Sequence, residues 1–404
     1  MRRIVIVGAG QAGLQLGVGL LDAGYQVTVV SSRSAERIRD GRVMSGQCMF
    51  GSALARERSL GLGFWDRECP AVEGIAVRVA DGGGGTAVDW AARFDLPAQA
   101  VDQRLKMSAW MAEFERRGGR VEHAEAEVDD LEDYAADADL VVVAAGKAEI
   151  AKLFPRDDSR SAHDAPQRAL ALTYVRGLRE LPDFPAVSFN VIPGVGEYFV
   201  FPGLTTNGPC DIMVFEGVPG GPMDCWDDVR GPAEHLARSK WVLDTFVPWE
   251  AARAGDVSLT DDNGILAGRL APTVRHPVGV LPSGAPVLGM ADVVVLNDPI
   301  TGQGSNNAGK CAASYLRSIV EHGDRPFDAE FMREAFEVYW DYARFVTDWT
   351  NALLDPSPHM LELIGAAGGN KRIARRFVNG FDDPRDFHLW FMDADAAAGY
   401  LGGR

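Results

Sequence analysis

Cysteine is scarce and scattered in this chain. Its 404 residues hold five (Cys48, Cys69, Cys210, Cys225, Cys311), an odd number with no C-x-x-C spacing. That pattern argues against a disulfide frame or a zinc site and fits free thiols in a reducing cytoplasm. Positive charge is also short. Lys plus Arg is 40 against 57 for Asp plus Glu, a net charge of −17. Such a field repels phosphate backbones and anionic bilayers, so neither nucleic acid nor a membrane is an expected partner. There is no H-E-x-x-H and no G-x-S-x-G, and the seven histidines (123, 163, 235, 276, 322, 359, 388) stand isolated. Neither a metal site nor a serine nucleophile is expected. Only residues 4–21 approach a long uncharged run. They contain five glycines and two glutamines, which favours a folded element over a signal peptide or a membrane span.

What is present is an ordinary globular composition, 47% hydrophobic and 24% charged, long enough for two or three domains. Residues 3–7 read as a buried strand, 11–23 as a helix and 25–30 as a second strand, the βαβ opening of a parallel sheet. Residues 31–42 read as polar loop, and 43–64 have weak helical periodicity. Four glycines at 82–85 punctuate two alternating segments and predict a long hairpin. Asp102 caps a predicted helix to Arg117, and 139–146 read as another buried strand. Residues 168–217 are mostly strand, 230–254 helical, and 328–354 a helix with an aromatic stripe. The predicted fold is α/β: a Rossmann-like domain (1–77, 99–165 and 271–325) interleaved with a β-sheet substrate domain (78–98 and 166–270), followed by a helical C-terminal region (326–404).

The first strand runs into Gly8-Ala9-Gly10-Gln11-Ala12-Gly13, a G-x-G-x-x-G at the mouth of a helix. Gly8 permits the tight turn, Gly10 lets a pyrophosphate approach the backbone, and Gly13 lets helix and strand pack closely. The acid that grips an adenosine ribose at the end of the second strand is replaced by Ser31, Ser32 and Arg33, which predicts either a looser grip or a ribose bond from a serine hydroxyl. A second element follows far downstream. A strand ends at Gly289, then come Asp292, Asp298-Pro299 and Gly302-Gln303-Gly304-Ser305-Asn306 opening a helix. The aspartate suits a ribityl hydroxyl, and the helix N-terminus suits the flavin pyrimidine carbonyls. A nicotinamide-only domain has no use for this second element, so the reading is FAD. No second G-x-G-x-x-G offers a nicotinamide site.

The order and spacing of Gly8/Gly10/Gly13, Val101-Asp102-Gln103-Arg104-Leu105, Ala144-Ala145-Gly146-Lys147, Pro166-Gln167-Arg168-Ala169-Leu170, Asp298-Pro299 through Gly304, and Trp349-Thr350-Asn351 resemble those of the two-component flavin-dependent styrene and indole monooxygenases. The resemblance covers residues 3 to about 355 and implies an aromatic-hydroxylase-like fold. It implies reduced FAD delivered by an NAD(P)H-dependent flavin reductase, and O2 adding to it to give a C4a-hydroperoxide that epoxidises an electron-rich alkene. It places FAD against Gly10, Gly13, Arg104, Asp292 and residues 302–304. We add Gly8, Gln11, Ala12, Ser31, Arg33, Gly146, Pro299, Ser305 and Asn306 as cofactor candidates. The family's glycine before the flavin aspartate is Ala291 here. Halogenases related to this family carry a Trp-x-Trp signature, and no two of the nine tryptophans here are spaced by two.

The resemblance also points to a substrate. Indole-type members carry Ser, Gln and Met where styrene-type members carry Asn, Val and His, and this chain has Ser45, Gln47 and Met49. These are the candidate catalytic residues. Phe50, Val72, Ile75, Ala98, Phe189 and Phe201 are the candidate pocket wall. Oxygen transfer to a double bond needs no protein nucleophile and no metal; it needs water exclusion and an apolar slot. The expectation is a cytoplasmic epoxidase of indole, with room for a homodimer. A tailoring oxygenase for a larger indole-bearing or alkenyl product, a non-catalytic flavin-binding redox sensor and an NAD-dependent dehydrogenase are the alternatives.

Overall fold

The computed structural model describes residues 2–145 and 148–402. Two sheets carry the fold. The first has six strands in the order Val278–Val280, Pro286–Gly289, Leu140–Val143, Arg3–Val7, Gln26–Ser31 and Arg120–His123. Its inner strands are parallel and only the Val278–Val280 edge is antiparallel. The sequence explains the burial: Leu140–Val143 is an unbroken apolar run, as a strand covered on both faces requires. The helix Gln11–Asp22 follows the first strand directly and packs on it, so the expected βαβ opening is the observed one.

The second sheet has eight strands and is mostly antiparallel. The hairpin predicted around 82–85 is longer than its glycines indicate, pairing Ala71–Ala80 with Thr86–Gln99. The strand Ala71–Ala80 crosses the domain boundary expected at residue 77 and lies wholly in this sheet. Strands Val187–Ile192, Gly196–Thr205, Gly208–Gly217 and Ala169–Arg176 complete its centre.

Local chemistry accounts for the departures elsewhere. The predicted helix over 230–254 is two, Pro232–Phe246 and Pro248–Ala251, because Pro248 cannot continue the first. The polar stretch 31–42 holds a short helix, Ala35–Arg39, capped by the Ser34 hydroxyl on the Arg37 N–H. Asp102 caps the helix Gln103–Arg116 as its position predicts, and Asp328 caps Ala329–Leu354. The last fifty residues form three α-helices (Pro358–Ala367, Lys371–Gly380, Ala394–Gly402) and a 3-10 turn. Their aromatics join the core of the second sheet, where Trp90 donates its indole N–H to the Ile364 carbonyl (2.8 Å) and stands edge-on to Phe377. Among the described residues no helix is long and apolar enough to cross a membrane.

One residue is strained. Ala291, at φ 52°, is the only non-glycine residue with positive φ among those described. This is the position where the resembling family carries glycine, and the left-handed region costs a Cβ-bearing residue about 1–2 kcal/mol. Ala291→Gly relieves that and gives back part of it as unfolded-chain entropy, so a net gain of about 0.5–1 kcal/mol is expected. A denaturant midpoint that moves down instead would contradict the strain.

Candidate functional site

A cleft of about 730 Å3 opens between the two sheets, within the range of about 300–1,000 Å3 usual for small-molecule sites. Gly8 takes φ +121°, and a Cβ there would sit 2.7 Å from that of Ala145. Gly13 lies outside the cleft lining, where a Cβ would fall 1.9 Å from the Gly8 carbonyl oxygen. Gly10 is different. It lines the cleft, its backbone is ordinary (φ −87°), and a Cβ would meet nothing within 4 Å. The space above Gly10 is therefore kept for something other than the protein. Gly10 is also the N-cap of the helix Gln11–Asp22 and supplies no side-chain cap, so the first N–H groups stay free for an anion.

A second uncapped helix start shares the cleft. The helix Gly304–His322 begins after Gln303 with no side-chain cap and no acid in its first turn. Gly302 (φ +63°) and Gly304 line the cleft, and added Cβ atoms there would also meet nothing. The preceding turn is held from behind: the Asp298 carboxylate accepts from the Ile300 N–H (3.1 Å), and the Thr301 and Thr350 hydroxyls pair at 2.7 Å. The Trp349-Thr350-Asn351 motif thus braces this turn, with Trp349 buried against Phe387. Arg168, from another of the motifs, is likewise internal, pairing with Glu197 at 2.6 and 2.9 Å. Asp292 points into the cleft, open to its solvent but deep within the protein. Those surroundings disfavour charge and push its carboxyl up to about 6.

The end of the cleft expected to take the adenosine is formed by Ser31, Ser32, Arg33 and residues 124–126. Ser31 spends its hydroxyl on the Arg33 carbonyl (2.7 Å). The Arg33 guanidinium donates to the Met44 sulfur at 2.9 Å and has no carboxylate partner among the described residues, which leaves a cation available in the cleft. Gln11 and Ala12 line the same region, and Gln11 donates to Glu57 (2.9 Å), which forms a buried ion pair with Lys106.

Several expected contacts take other roles. Arg104, expected on the flavin phosphate, is corrected to an internal position. It is the second residue of its helix and turns back between Asp102 and Asp261, with bonds of 2.9 and 3.0 Å to the latter. Asn306 is outside the lining and staples residues 48–50, accepting from the Phe50 N–H (2.9 Å) and donating to the Cys48 carbonyl (2.8 Å). Gln303 is buried and donates to the Phe381 carbonyl (2.8 Å). Ser305 lines the cleft and donates to Gln47 Oε1 at 3.0 Å. Gly146 lies outside the described residues.

On the substrate side, Phe50, Ile75, Phe189 and Phe201 line the cleft as expected. Phe189 stacks on Phe199 with ring centroids 4.8 Å apart. Val72 and Ala98 do not reach the cleft: they pair across the hairpin in the core, both 0% exposed. The trio Ser45, Gln47 and Met49 separates. Met49 lies outside the lining, its backbone bonded to Gln99 and its side chain packed with Ala53 and Leu54. Gln47 lines the cleft, but its amide donates to the Val101 carbonyl (2.5 Å) and accepts from Gln103 and Ser305. Only Ser45 keeps a hydroxyl without a hydrogen-bond partner among the described residues; its carbonyl accepts from Tyr174. Residues that the sequence did not single out also line the cleft, among them Met44, Cys48, Val214, Asn297 and Phe381.

The fold and this cleft suit a flavin, and comparisons with known proteins give the class. Residues 146–253 match the family of the styrene monooxygenase A substrate-binding domain. The chain is 29% identical to styrene monooxygenase StyA of Pseudomonas fluorescens over 395 residues, 95% of this chain and 93% of that one. That alignment runs well past residue 355, where the motif resemblance stops. Among solved structures, a flavoprotein/dehydrogenase from Cytophaga hutchinsonii shares the fold at a TM-score of 0.70 and 12% identity, covering both chains completely. The flavin-dependent brominase Bmp2 does so at 0.65 and 15%, covering 99% of each. The chain is a StyA-like flavin-dependent monooxygenase, and the cofactor this implies, FAD, fits the empty space over Gly10 and the two free helix ends.

Two predictions follow from this geometry. Gly10→Ala should fold with its Tm within about 2 °C of the parent while its FAD affinity, measured by flavin fluorescence, falls about tenfold or more. Gly13→Ala should fail to fold. The second concerns pH. Because the folded carboxyl of Asp292 titrates at about 6, above the ordinary carboxylate range, its contribution is complete at low pH and is lost as pH rises through about 6. Asp292→Asn should flatten the stability profile of the cofactor-free protein over that interval, and unchanged curvature would contradict this.

Proposed function

We propose that this chain is the oxygenase component of a two-component system that epoxidises the C2=C3 bond of indole, or a related aromatic alkene such as styrene. FAD bound here in reduced form, supplied by a separate NAD(P)H-dependent reductase, provides the activation of O2 and the transfer of one oxygen atom. The observation that carries the reading is the contrast within the cleft. Its flavin part offers helix ends and Asp292; its far part is apolar, with Ile75, Val187, Phe189, Phe199, Phe201 and Val214 on the sheet.

The chain's own residues then have defined tasks. The sheet wall and Phe50 exclude water and hold a flat apolar ring. The glycine loop and the helix Gly304–His322 bind and orient the cofactor, and Asn306 fixes residues 48–50 against that helix. Ser45, with its hydroxyl free, accepts a hydrogen bond from the indole N–H. Gln47 acts through position: it ties the segment bearing Ser45 to Gln103 and Ser305. This supports indole over styrene, since styrene has no N–H to offer.

The test is reconstitution with a flavin reductase, NAD(P)H and O2, with product analysis on indole and styrene. Oxygenated indole is expected, and whole cells making it should form indigo. No oxygenated product from either alkene overturns the reading. Loss of one neutral hydrogen bond costs about 1 kcal/mol, so Ser45→Ala should lower kcat/KM for indole about fivefold and leave styrene unchanged. An equal loss on both substrates would remove Ser45 from indole recognition.

A further inference from the structure

Phe381 is the one described residue of the C-terminal region, 326–402, that lines the cleft. It follows the helix Lys371–Gly380 as its C-cap, and hydrogen bonds to two backbone carbonyls and one side chain tie down residues 381–382. The Phe381 carbonyl accepts from Gln303 at the start of the cofactor-side helix (2.8 Å). The Asp382 carbonyl accepts from Lys310 in the same helix (2.9 Å). The Asp382 carboxylate accepts from the Ser52 N–H (2.8 Å), at the start of the helix Gly51–Ser59 that follows the substrate-side segment. One short stretch of chain is thereby referenced to both halves of the site.

The ring is fixed as firmly as the backbone. It stands edge-on to Trp349 with centroids 4.8 Å apart, and to Phe50 at 5.9 Å. Phe387 and Phe377 pack against it at 6.1 and 5.7 Å. Phe381 is 5% exposed, and Trp349 and Phe387 are fully buried. A ring backed this way cannot swing aside when a ligand enters, because close-packed interiors shift little. Its volume is therefore subtracted directly from the cleft.

We propose that Phe381 is the residue that sets the upper size of the aromatic substrate, so that the C-terminal region acts as a selectivity wall built onto the oxygenase core. This rests on the proposed function in taking an aromatic alkene as the ligand. The wall restricts that class to one ring or two fused rings. A second ring joined through a single bond, as in 4-phenylstyrene, is refused.

The test reads binding and turnover separately. Binding is measured on the FAD-loaded protein as the change in flavin absorbance on titration with two unreactive analogues, ethylbenzene and 4-ethylbiphenyl. Turnover is measured with the reductase on styrene, indole and 4-phenylstyrene. Phe381→Ala should improve the affinity ratio of 4-ethylbiphenyl to ethylbenzene, and the kcat/KM ratio of 4-phenylstyrene to styrene, by about tenfold or more. Phe381→Trp should act in the opposite sense, lowering indole relative to styrene. Phe381→Leu stands in if the alanine variant does not fold, with a smaller shift in the same direction. Folded variants whose binding ratios stay at the parent value overturn the proposal, as does an equal loss for all ligands. Absence of turnover by the parent enzyme on every alkene would overturn the proposed function instead, and the binding ratios would still decide the role of Phe381.

Discussion

The helix Gln11–Asp22 lies directly against the helix Gly304–His322, and the site depends on that contact. Gln15 donates to the Gly309 carbonyl at 3.0 Å, and a Cβ on Gly309 would sit 3.1 Å from Gln15 Oε1. One turn further on, a Cβ on Gly19 would come within 2.4 Å of the Leu316 side chain. Small residues on both helices allow this approach. Because the helices are locked along their lengths, both N-termini reach the same cleft, and their unpaired N–H groups present a positive field to a ligand with acceptors at both ends. The strands determine where the cleft lies; this helix contact determines that it is polar in one part and greasy in another.

That division organises the remaining chemistry. Buried polar side chains near the cleft are mostly spent on one another. Arg104 pairs with Asp102 and Asp261, Arg168 with Glu197, and Gln47 with Gln103 and Ser305. Satisfied internally, these groups hold loops in place without competing for a ligand. Among the described residues, the groups left unspent in the cleft include Asp292, the Ser32 and Ser45 hydroxyls and Gln11 Oε1, and Arg33 has only the Met44 sulfur for a partner. A site that must keep water from a reactive oxygen species benefits from this economy, since every spare donor or acceptor would recruit solvent.

What could be read from the sequence is what local chemistry decides. Gly8, Gly10 and Gly13 announce a turn, an approach and a packing contact because each constraint involves residues a few positions away. Asp102 announces a helix start for the same reason. The glycine loop and the Gly302–Gly304 turn were legible as motifs and line the cleft, and so was half of the sheet wall, through Ile75, Phe189 and Phe201. What escaped was long-range. Arg104 looks like a phosphate ligand until Asp261, 157 positions away, is brought beside it. The resemblance groups Ser45, Gln47 and Met49 at one site. The structure separates them because Met49 pairs with Gln99 and turns its side chain into a separate apolar group. Phe381 gave no local signal at all, because an aromatic just past the end of an amphipathic helix is indistinguishable from core until its neighbours are known.

The buried ion pair of Glu57 and Lys106 beneath the glycine loop carries an evolutionary consequence. Removing either partner strands a charge in the interior at a cost of about 3–5 kcal/mol, whereas replacing both with apolar residues of like volume is close to neutral. Single replacements at these two positions are therefore closed to drift, and descendants of this chain should exchange them jointly or keep both. Glu57 also accepts from Gln11, so a lineage that exchanges the pair inherits a rewired first turn beneath its nucleotide loop, and its grip on the cofactor must be rebuilt along with it.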